Sequence, residues 1–408
     1  MRLAWVSPLP PAPSGIADYS FELLGLAAPR AEVHAVAERP GRFRRPRVPP
    51  GVALVDPERF EATADSYDAV IYHLGNNPWH RFVYELALRR PGIAVFHDFV
   101  IHHLIAAITI ETYRDWPRYA ALMREEHGDA GDRLVRLRVA GAATEYEKFV
   151  FPLNGHLARR SQAIVVHSED SRERMLAVAP NVPVVVIPHH AEKAPPEVQG
   201  VTRAEARSRL GLPADAFVVG NFGYVTRPKQ PAAVVGGFAR LAASRPDALL
   251  VIVGADHTGG GFDRLVERHG VAWRVRKAGF VGLQTFYLYL RAVDAVINLR
   301  YPSAGESSGT FARTLAEGRA AIVNNLGSFA EVPPDVALKV EVDGDQAEAV
   351  GAHLLRLAGD PRFRTTIEAN ARWYAETVLD PGRCTDLYLN VARLEALKKA
   401  ASPALDLA

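Results

Sequence analysis

The feature that most limits the possible folds is a repeated alternation of short apolar runs with helix-like segments. In the first half of the chain, six runs have the length of buried strands: Leu3–Val6, Val52–Val55, Ala69–His73, Ile93–Phe96, Ala163–Val166 and Val184–Ile187. Six more follow in the second half: Phe217–Asn221, Leu249–Val253, Val275–Phe280, Ala295–Leu299, Ala321–Asn324 and Val336–Val340. Stretches rich in Ala, Leu, Glu and Arg separate most of them. This alternation predicts α/β architecture with parallel sheets covered by helices.

The length of 408 residues is too large for one ordinary core and indicates two domains. The hydrophilic stretch Pro188–Pro196 is bracketed by prolines and is the predicted linker. We therefore expect one Rossmann-like domain over residues 1–190 and a second over 191–380, facing each other across a cleft. A last helix, within 381–408, is expected to cross back to the first domain. Residues 101–160 carry no clear strand and are expected to be helical.

Composition excludes several classes of protein. The net charge of +2 argues against a general nucleic-acid binder. The single cysteine, Cys384, excludes an internal disulfide and a cysteine-rich metal site, and it fits a reducing cytoplasm. No apolar run approaches the about 18 residues of a membrane span, and the start reads as a strand rather than a signal peptide. The basic run Arg39–Arg47 suggests either peripheral contact with a membrane surface or a phosphorylated acceptor, or a solvated loop.

A polar loop between a predicted strand and a predicted helix carries one carboxylate, Glu306. It follows Ala295–Leu299 and leads into a helix that starts near Phe311. Ligands bind at the carboxyl ends of strands in open α/β sheets, and a helix N-terminus offers backbone N–H groups to an anion. We expect the amides of four residues here to bind a phosphorylated donor: Ser307, Ser308, Gly309 and Thr310.

A second loop in the same half, Gly220–Lys229, follows the first strand of that domain. Gly223 allows close backbone approach, Lys229 supplies a mobile positive charge and Arg227 a planar fork. The loop is interpreted as a phosphate site; the alternative is that the two basic residues are merely solvated.

Three loops of the first half also follow predicted strands. The proline-rich loop Ser7–Ser14 leads to Gly15 and is either a ligand-facing loop or a stiff surface loop. His97 and Asp98 follow Ile93–Phe96, where a histidine can donate to a sugar hydroxyl or be tied to backbone. Asn76 lies in a turn that either binds hydroxyls or is ordinary turn chemistry. His102 and His103 have no third metal ligand nearby and are interpreted as structural.

The second half resembles the retaining GT-B-fold glycosyltransferases of family 4, most strongly over residues 217–335. Gly223–Lys229 is similar to the family's G-R-L-x-x-x-K loop, with Lys229 on the lysine that binds the diphosphate. Glu306–Gly309 resembles the start of the E-x7-E motif, and Arg313 stands near its usual second glutamate. Phe280 lies in a segment resembling the G-x-V sequence that meets the nucleotide base.

In the first half the resemblance is looser but keeps the same order. Ser14–Ala17 is similar to the G-G-I-A loop near the donor phosphates, which implies a donor contact for Gly15. His97-Asp98 resembles the family's H-D pair, whose histidine approaches the transferred sugar.

The resemblance implies a hexosyltransferase that moves a sugar, with retention of configuration, from a UDP-, GDP- or dTDP-sugar to an acceptor hydroxyl. The acceptor would be a glycan, a glycolipid or a small molecule. The implied catalytic residues are His97 and Glu306, with Asn76 and Asp98 as weaker sugar or acceptor contacts. Neither a prosthetic group nor a metal held by an Asp-X-Asp motif is implied. The alternatives are a non-catalytic nucleotide-sugar-binding protein and a sugar-nucleotide epimerase of related fold.

Overall fold

The computed structural model describes residues 1–39 and 45–401, which divide into two α/β units. The first unit contains residues 1–189, the short segment 304–307 and the chain from Pro381; the second contains residues 190–303 and 308–380. Of the basic run Arg39–Arg47, positions 40–44 lie outside the described residues. No helix within the described ranges is both long and apolar enough to cross a membrane.

The first unit is built on a parallel sheet of seven strands, in the spatial order β3-β2-β1-β4-β5-β6-β7. The strands are β1 (Arg2–Val6), β2 (Glu32–Val36), β3 (Ala53–Val55), β4 (Ala69–Leu74), β5 (Ile93–Phe96), β6 (Ala163–Val166) and β7 (Val184–Val186). Its helices up to the linker are α1 (Gly15–Ala27), α2 (Pro57–Thr63), α3 (Arg81–Arg89), α4 (His102–Ala106), α5 (Trp116–Val139), α6 (Glu147–Val150), α7 (Gly155–Ala158) and α8 (Glu169–Val178).

Alternating side chains of β1 enter two different cores, one on each face of the sheet. Leu3 and Trp5 pack into one cluster, whereas Ala4 and Val6 pack into the other. Since all four side chains are fully buried, both faces of the central strand are covered. This explains why β1 reads as an uninterrupted apolar run.

The second unit contains a parallel sheet of six strands in the order β10-β9-β8-β11-β12-β13. The strands are β8 (Val218–Phe222), β9 (Leu249–Val253), β10 (Val275–Gly279), β11 (Ala295–Asn298), β12 (Ala320–Asn324) and β13 (Leu338–Val340). The helices are α9 (Arg203–Leu210), α10 (Pro231–Ser244), α11 (Gly261–Arg268), α12 (Leu283–Ala292), α13 (Gly309–Ala316), α14 (Gln346–Gly359) and α15 (Pro361–Thr377).

Local sequence signals set the ends of these helices. Thr202 and Glu205 form a capping box at the start of α9, and Gly211 ends that helix in a left-handed conformation with φ of 61°. Asp360 caps α15 by accepting from the N–H of Phe363 at 2.9 Å, and Pro361 occupies the first helical position.

The last helix, α16 (Pro381–Ala401), belongs to the first unit. Its residues Cys384, Tyr388 and Leu389 join the core that contains Trp5. The Tyr388 hydroxyl forms a 2.8 Å hydrogen bond with the hydroxyl of Tyr19 in α1, and both rings are buried. The helix is therefore anchored by apolar packing and by one buried polar contact.

The predicted strands are present with ends shifted by three residues or fewer, and the two-sheet α/β prediction is confirmed. Sequence reasoning missed β2, which starts after a short turn that ends α1. Its sequence Glu-Val-His-Ala-Val alternates polar and apolar residues only briefly, so it lacks the apolar run that marks its neighbours. Residues 101–160 are helical or irregular, as predicted.

Candidate functional site

In each unit the order of strands reverses at one point of the sheet. In the first unit the reversal lies between β1 and β4, and in the second between β8 and β11. At such a point the two loops that leave the carboxyl ends diverge to opposite sides, which opens a ligand-binding crevice. The loops that the sequence singled out leave these four strands or their neighbours.

After β8, Lys229 lies against the backbone of Gly223. A Cβ atom placed on Gly223 would be 2.5 Å from Lys229 Nζ and 3.9 Å from Thr310 Oγ1. The ammonium group donates to the carbonyl of Phe222 at 3.1 Å. Gly223 has a φ of +83°, and its carbonyl lies 2.2 Å from the Cβ position of Gly254. Only glycine fits this crowded turn without strain, and it brings Lys229 next to the first turn of α13.

The start of α13 is held in place by buried polar contacts. Ser308 is the N-cap residue, and its hydroxyl accepts from the N–H of Phe311 at 3.2 Å and from Asn298 Nδ2 at 3.1 Å. The first helical residues, Gly309 and Thr310, carry N–H groups with no partner inside the helix. These amides and the Lys229 ammonium form a local concentration of positive charge.

The two loops of the second unit are bonded to each other. The N–H of Tyr301 donates to the carbonyl of Pro228 at 2.7 Å, and Gln230 Nε2 donates to the carbonyl of Tyr301 at 2.6 Å. Arg227 is exposed in the short turn that carries Lys229. The loop geometry is thus set mainly by backbone contacts, and Arg227 is placed on its outer surface.

Arg313, the residue near the usual second glutamate, is engaged inside the protein. Its guanidinium contacts a carboxylate oxygen of Glu192, with Nε donating at 2.6 Å and Nη2 also donating. Both side chains are nearly buried. Phe280, directly after β10, is 74% exposed. The structure therefore places Phe280 at an open strand end and Arg313 in an ion pair.

In the first unit, three histidines from neighbouring strands form a hydrogen-bonded chain. His73 lies in β4, His97 follows β5 and His167 follows β6. The distance from His73 Nδ1 to His97 Nε2 is 2.9 Å, and that from His97 Nδ1 to His167 Nε2 is 3.1 Å. His167 Nδ1 donates to the carbonyl of Ile187 at 2.8 Å. Tyr19 packs edge-on against His97, with ring centroids 4.7 Å apart.

The carbonyl at the end of this chain determines the direction of each hydrogen bond. A carbonyl only accepts, so His167 carries its proton on Nδ1 and, when neutral, accepts at Nε2. His97 Nδ1 then donates to it, and His97 Nε2 accepts from His73. Burial, followed by the neighbouring histidines, lowers the pKa of His97 well below its ordinary value. His97 is therefore neutral near pH 7, and both of its ring nitrogens are engaged.

Asn76 connects Asp98 with His103. The N–H of Asn76 donates to Asp98 Oδ2 at 2.8 Å, and the N–H of Leu104 donates to Asn76 Oδ1 at 3.2 Å. The Asn76 amide nitrogen then donates to His103 Nδ1 at 2.9 Å. This leaves the proton of a neutral His103 ring on Nε2. Burial, followed by the charge of Lys148, lowers the pKa of His103 to about 4.

Glu306 lies in the segment 304–307, which belongs to the first unit. The N–H of Val100 donates to the carbonyl of Ala304 at 2.8 Å, and the Ser171 hydroxyl donates to the carbonyl of Gly305 at 3.1 Å. Gly305 has a φ of +75°, and a Cβ there would lie 2.5 Å from Phe99 Cβ. The negative charge of Glu306 acts weakly on His103. Glu306 is thus at the same sheet edge as His97 and Asp98.

Gly15 begins α1, and no atom lies within 4 Å of a Cβ placed on it. The preceding Ser14 hydroxyl is 3.4 Å from His80 Nε2, and His80 Nδ1 donates to the carbonyl of His73 at 2.8 Å. The loops after β1 and β4 are therefore connected through His80. Packing does not require glycine at position 15, so its predicted donor contact stays a prediction.

Sequence reasoning missed the partners of His97. Each of the predicted strands Ala69–His73, Ile93–Phe96 and Ala163–Val166 ends in, or is followed by, a histidine. That common position was the available signal. His102 is structural, as interpreted: Nδ1 donates to the carbonyl of Phe151 at 2.7 Å, and Nε2 contacts the Tyr119 hydroxyl. His103, by contrast, is joined to Asn76 and lies near Glu306.

Asp343 and Asp345 stand in an Asp-X-Asp spacing, which is a common metal-binding pattern. Asp345 is the N-cap of α14 and accepts from the N–H of Glu348 at 3.0 Å. Arg240 lies 3.7 Å from the same carboxylate. The role of Asp345 is therefore helix capping.

Comparison with solved structures shows the fold. Sucrose-phosphate synthase from Thermosynechococcus elongatus matches 98% of this chain and 100% of its own, with a TM-score of 0.68 and 17% identity. HepE from Anabaena, in complex with UDP-glucose, matches 96% of this chain and 99% of its own, with a TM-score of 0.64 and 17% identity. The chain has the two-domain α/β fold of the GT-B glycosyltransferases.

Two curated relatives are D-inositol 3-phosphate glycosyltransferases. The one from Streptomyces avermitilis is 28% identical over 184 residues, which cover 43% of this chain and 39% of the relative. The one from Salinispora arenicola is 32% identical over 186 residues, covering 42% and 40%. The alignments thus span about two fifths of the length of these relatives. No family model matches the chain.

Proposed function

We propose that this protein is a retaining, metal-independent glycosyltransferase that moves a sugar from a nucleoside diphosphate sugar to an acceptor hydroxyl. The observation that carries the proposal is the position of Lys229 against Gly223, beside the first turn of α13, at the strand reversal of the second unit. Support comes from the fold, which is shared with a protein solved with UDP-glucose, and from relatives named as glycosyltransferases.

The second unit supplies the charge that departure of the diphosphate requires. Negative charge grows on the leaving diphosphate in the transition state, and fixed positive groups stabilise it without reorganising. Lys229 and the N–H groups of Gly309 and Thr310 are held there by the backbone contacts of both loops. Arg227 adds positive charge from the outer side of the loop, and backbone near Phe280 meets the base.

The first unit supplies groups for the sugar. Glu306 binds sugar hydroxyls and stabilises the positive charge that develops on the ring. His97 is neutral, so it acts through hydrogen bonding, and it must exchange one of its two histidine partners for a substrate hydroxyl. Asn76 and Asp98, already bonded to each other, position this edge for sugar or acceptor contact.

The experiment measures release of nucleoside diphosphate from a panel of UDP-, GDP- and dTDP-sugars. Acceptors include D-inositol 3-phosphate, the substrate in the names of the relatives. Lys229→Ala and Glu306→Gln should each lower kcat/KM about 100-fold, the size of effect seen when a group that stabilises transition-state charge is removed. The matched control is Arg240→Ala, an exposed cation on α10 of the second unit, which should change activity less than about twofold.

Stability measurements separate a binding role of Lys229 from a structural one. Its side chain is only half-buried, so the unliganded Lys229→Ala variant should melt within a few degrees of the parent protein. A large loss of stability would show that Lys229 is structural. Its position against Gly223 would then no longer support the proposal. The anomeric configuration of the product tests retention, and activity after chelation tests metal independence.

One observation favours a second candidate, a nucleotide-sugar-binding protein without turnover. Arg313 replaces a carboxylate of the motif that the chain resembles, and it is paired with Glu192. A protein that is stabilised by one donor but never releases nucleoside diphosphate would fit this candidate. Interconversion of the donor sugar without an acceptor would instead indicate an epimerase.

A further inference from the structure

The second unit has a cavity at the edge of its sheet opposite to the Lys229 loop. Its volume is about 370 Å³, and Arg319, Arg372, Thr365 and Trp373 line it together with Gly318, Ala369, Glu368 and Glu376. Gly318 and Arg319 directly precede β12, so the cavity lies at the amino ends of the strands. The candidate donor loops leave the carboxyl ends, and the two places are therefore distinct.

Arg319 is the residue of this cavity whose burial needs an explanation. Its side chain is mostly buried, and no acceptor among the described residues contacts its buried Nε atom. Within residues 1–39 and 45–401, no carboxylate oxygen lies within 4.0 Å of its guanidinium. Burial, followed by the charge of Arg203, lowers its pKa to about 10. A buried N–H group without an acceptor is costly and calls for a bound counter-ion or water.

The carboxylates near Arg319 are already committed to other arginines. Asp294 pairs with Arg207 at 2.6 Å and with Arg203 at 3.3 Å. Glu368 also pairs with Arg203, at 2.6 Å. Glu317 in turn pairs with Arg291 at 2.8 Å. These three carboxylates therefore pair with other arginines and not with Arg319.

Arg372 brings a second guanidinium to the same cavity. Gly318 has a φ of +57°, and a Cβ placed on it would lie 2.8 Å from Arg372 Nη2. The guanidinium therefore rests on the glycine backbone beside Arg319. Trp373 adjoins it and is 62% exposed. Glu376 lines the cavity too, so two arginines face one carboxylate that is outside the ion pairs described above.

We propose that this cavity binds a phosphate group. Two guanidinium groups offer planar pairs of N–H donors that match the oxygens of a phosphate. The volume exceeds that of a phosphate ion, and the exposed indole of Trp373 offers a face for a ring carried by the phosphate. This site is independent of the function proposed for the carboxyl edge.

The test is thermal unfolding of the full chain in increasing inorganic phosphate, with sodium chloride at equal ionic strength as the reference. Saturating phosphate should raise Tm by about 2–4 °C over the chloride reference. Arg372→Ala should weaken phosphate binding roughly tenfold or more, since it removes a charged hydrogen-bonding partner. Arg319→Met should abolish the shift while keeping the fold, because it removes the uncompensated charge.

Two controls define the site. Arg362→Ala removes an exposed arginine of the same helix outside the cavity and should keep the shift. Lys229→Ala should also keep it, because Lys229 lies at the other edge. The proposal fails if phosphate gives no shift beyond chloride, if Arg372→Ala leaves the shift unchanged, or if Lys229→Ala abolishes it. Should Arg319→Met not fold, Arg372→Ala decides the outcome, since its side chain is exposed.

Phenyl phosphate identifies the source of the phosphate group. If the natural ligand is an organic phosphate with a ring, phenyl phosphate binds more tightly than inorganic phosphate, and Trp373→Ala removes only that gain. Equal binding of the two, unaffected by Trp373→Ala, assigns the cavity to free phosphate.

Discussion

The carboxyl ends of the strands carry different chemical groups in the two sheets. In the first unit, the edge is formed by buried histidines whose ring nitrogens bond to one another, as at His97. In the second unit, it is formed by glycine backbone, the Lys229 ammonium and the first amides of α13. A network of hydrogen-bonding imidazole rings suits hydroxyl groups, whereas a cationic edge suits a diphosphate. One architecture can therefore carry different chemistries in its loops.

The largest expected difference between the units is in acid stability. Burial lowers the pKa of five histidines of the first unit: His80 to about 4, His102 to about 3, His103 to about 4, His97 well below its ordinary value and His127 below its ordinary value. In the second unit, burial lowers the pKa of His190 to about 4. The first unit should therefore unfold first on acidification.

The sign follows from proton binding. The unfolded chain protonates these rings near pH 6.5, while the folded chain does not, so their stabilisation is complete above pH 6.5 and is lost as the pH falls toward 4. At about pH 5, the lowered pKa of each fully buried ring should reduce the free energy of unfolding by about 2 kcal/mol. Hydrogen exchange at neutral pH and at about pH 5 measures protection in each unit. Equal loss of protection in both units would contradict this expectation.

Two glycine substitutions should have the next largest effect on stability. Gly305→Ala places a Cβ 2.5 Å from Phe99 Cβ at a φ of +75°, whereas Gly223→Ala meets the mobile end of Lys229 at a φ of +83°. A rigid neighbour cannot move aside, so Gly305→Ala should cost about 2–4 kcal/mol and Gly223→Ala about 1–2 kcal/mol. Denaturant unfolding measures both. Gly282→Ala, with no atom within 4 Å, is the control. A larger cost at Gly223 would contradict this ranking.

The smallest effect should come from His73→Phe. The ring is stacked on Trp5 with centroids 4.6 Å apart, and phenylalanine keeps that shape. It removes the donor to His97 Nε2, so the free energy of unfolding should fall by about 0.5–1 kcal/mol. His257→Phe, at an exposed position, is the control. A variant as stable as the parent protein would show that the histidine chain contributes little.

Much of the fold could be read from the sequence because strands and helices have local causes. Apolar runs such as Ile93–Phe96 and Leu249–Val253 indicate buried strands, and they are found at those residues. Glycine and proline loops after the strands marked the candidate site, and the structure puts Gly223, Lys229 and Thr310 together. β2 was missed because its pattern is too short to stand out.

Contacts between residues far apart in the chain could not be predicted from the sequence, because they depend on how the elements pack. The histidine chain exists because β4, β5 and β6 are neighbours, an order that no local pattern encodes. The pairing of Arg313 with Glu192 and the inclusion of segment 304–307 in the first unit depend likewise on packing. So does the burial of Arg319 without a carboxylate within 4.0 Å among the described residues. The positions of the polar loops along the chain can be predicted from local sequence, because backbone propensity and hydrophobic periodicity are local properties. The order of the strands in each sheet determines which of these groups come into contact.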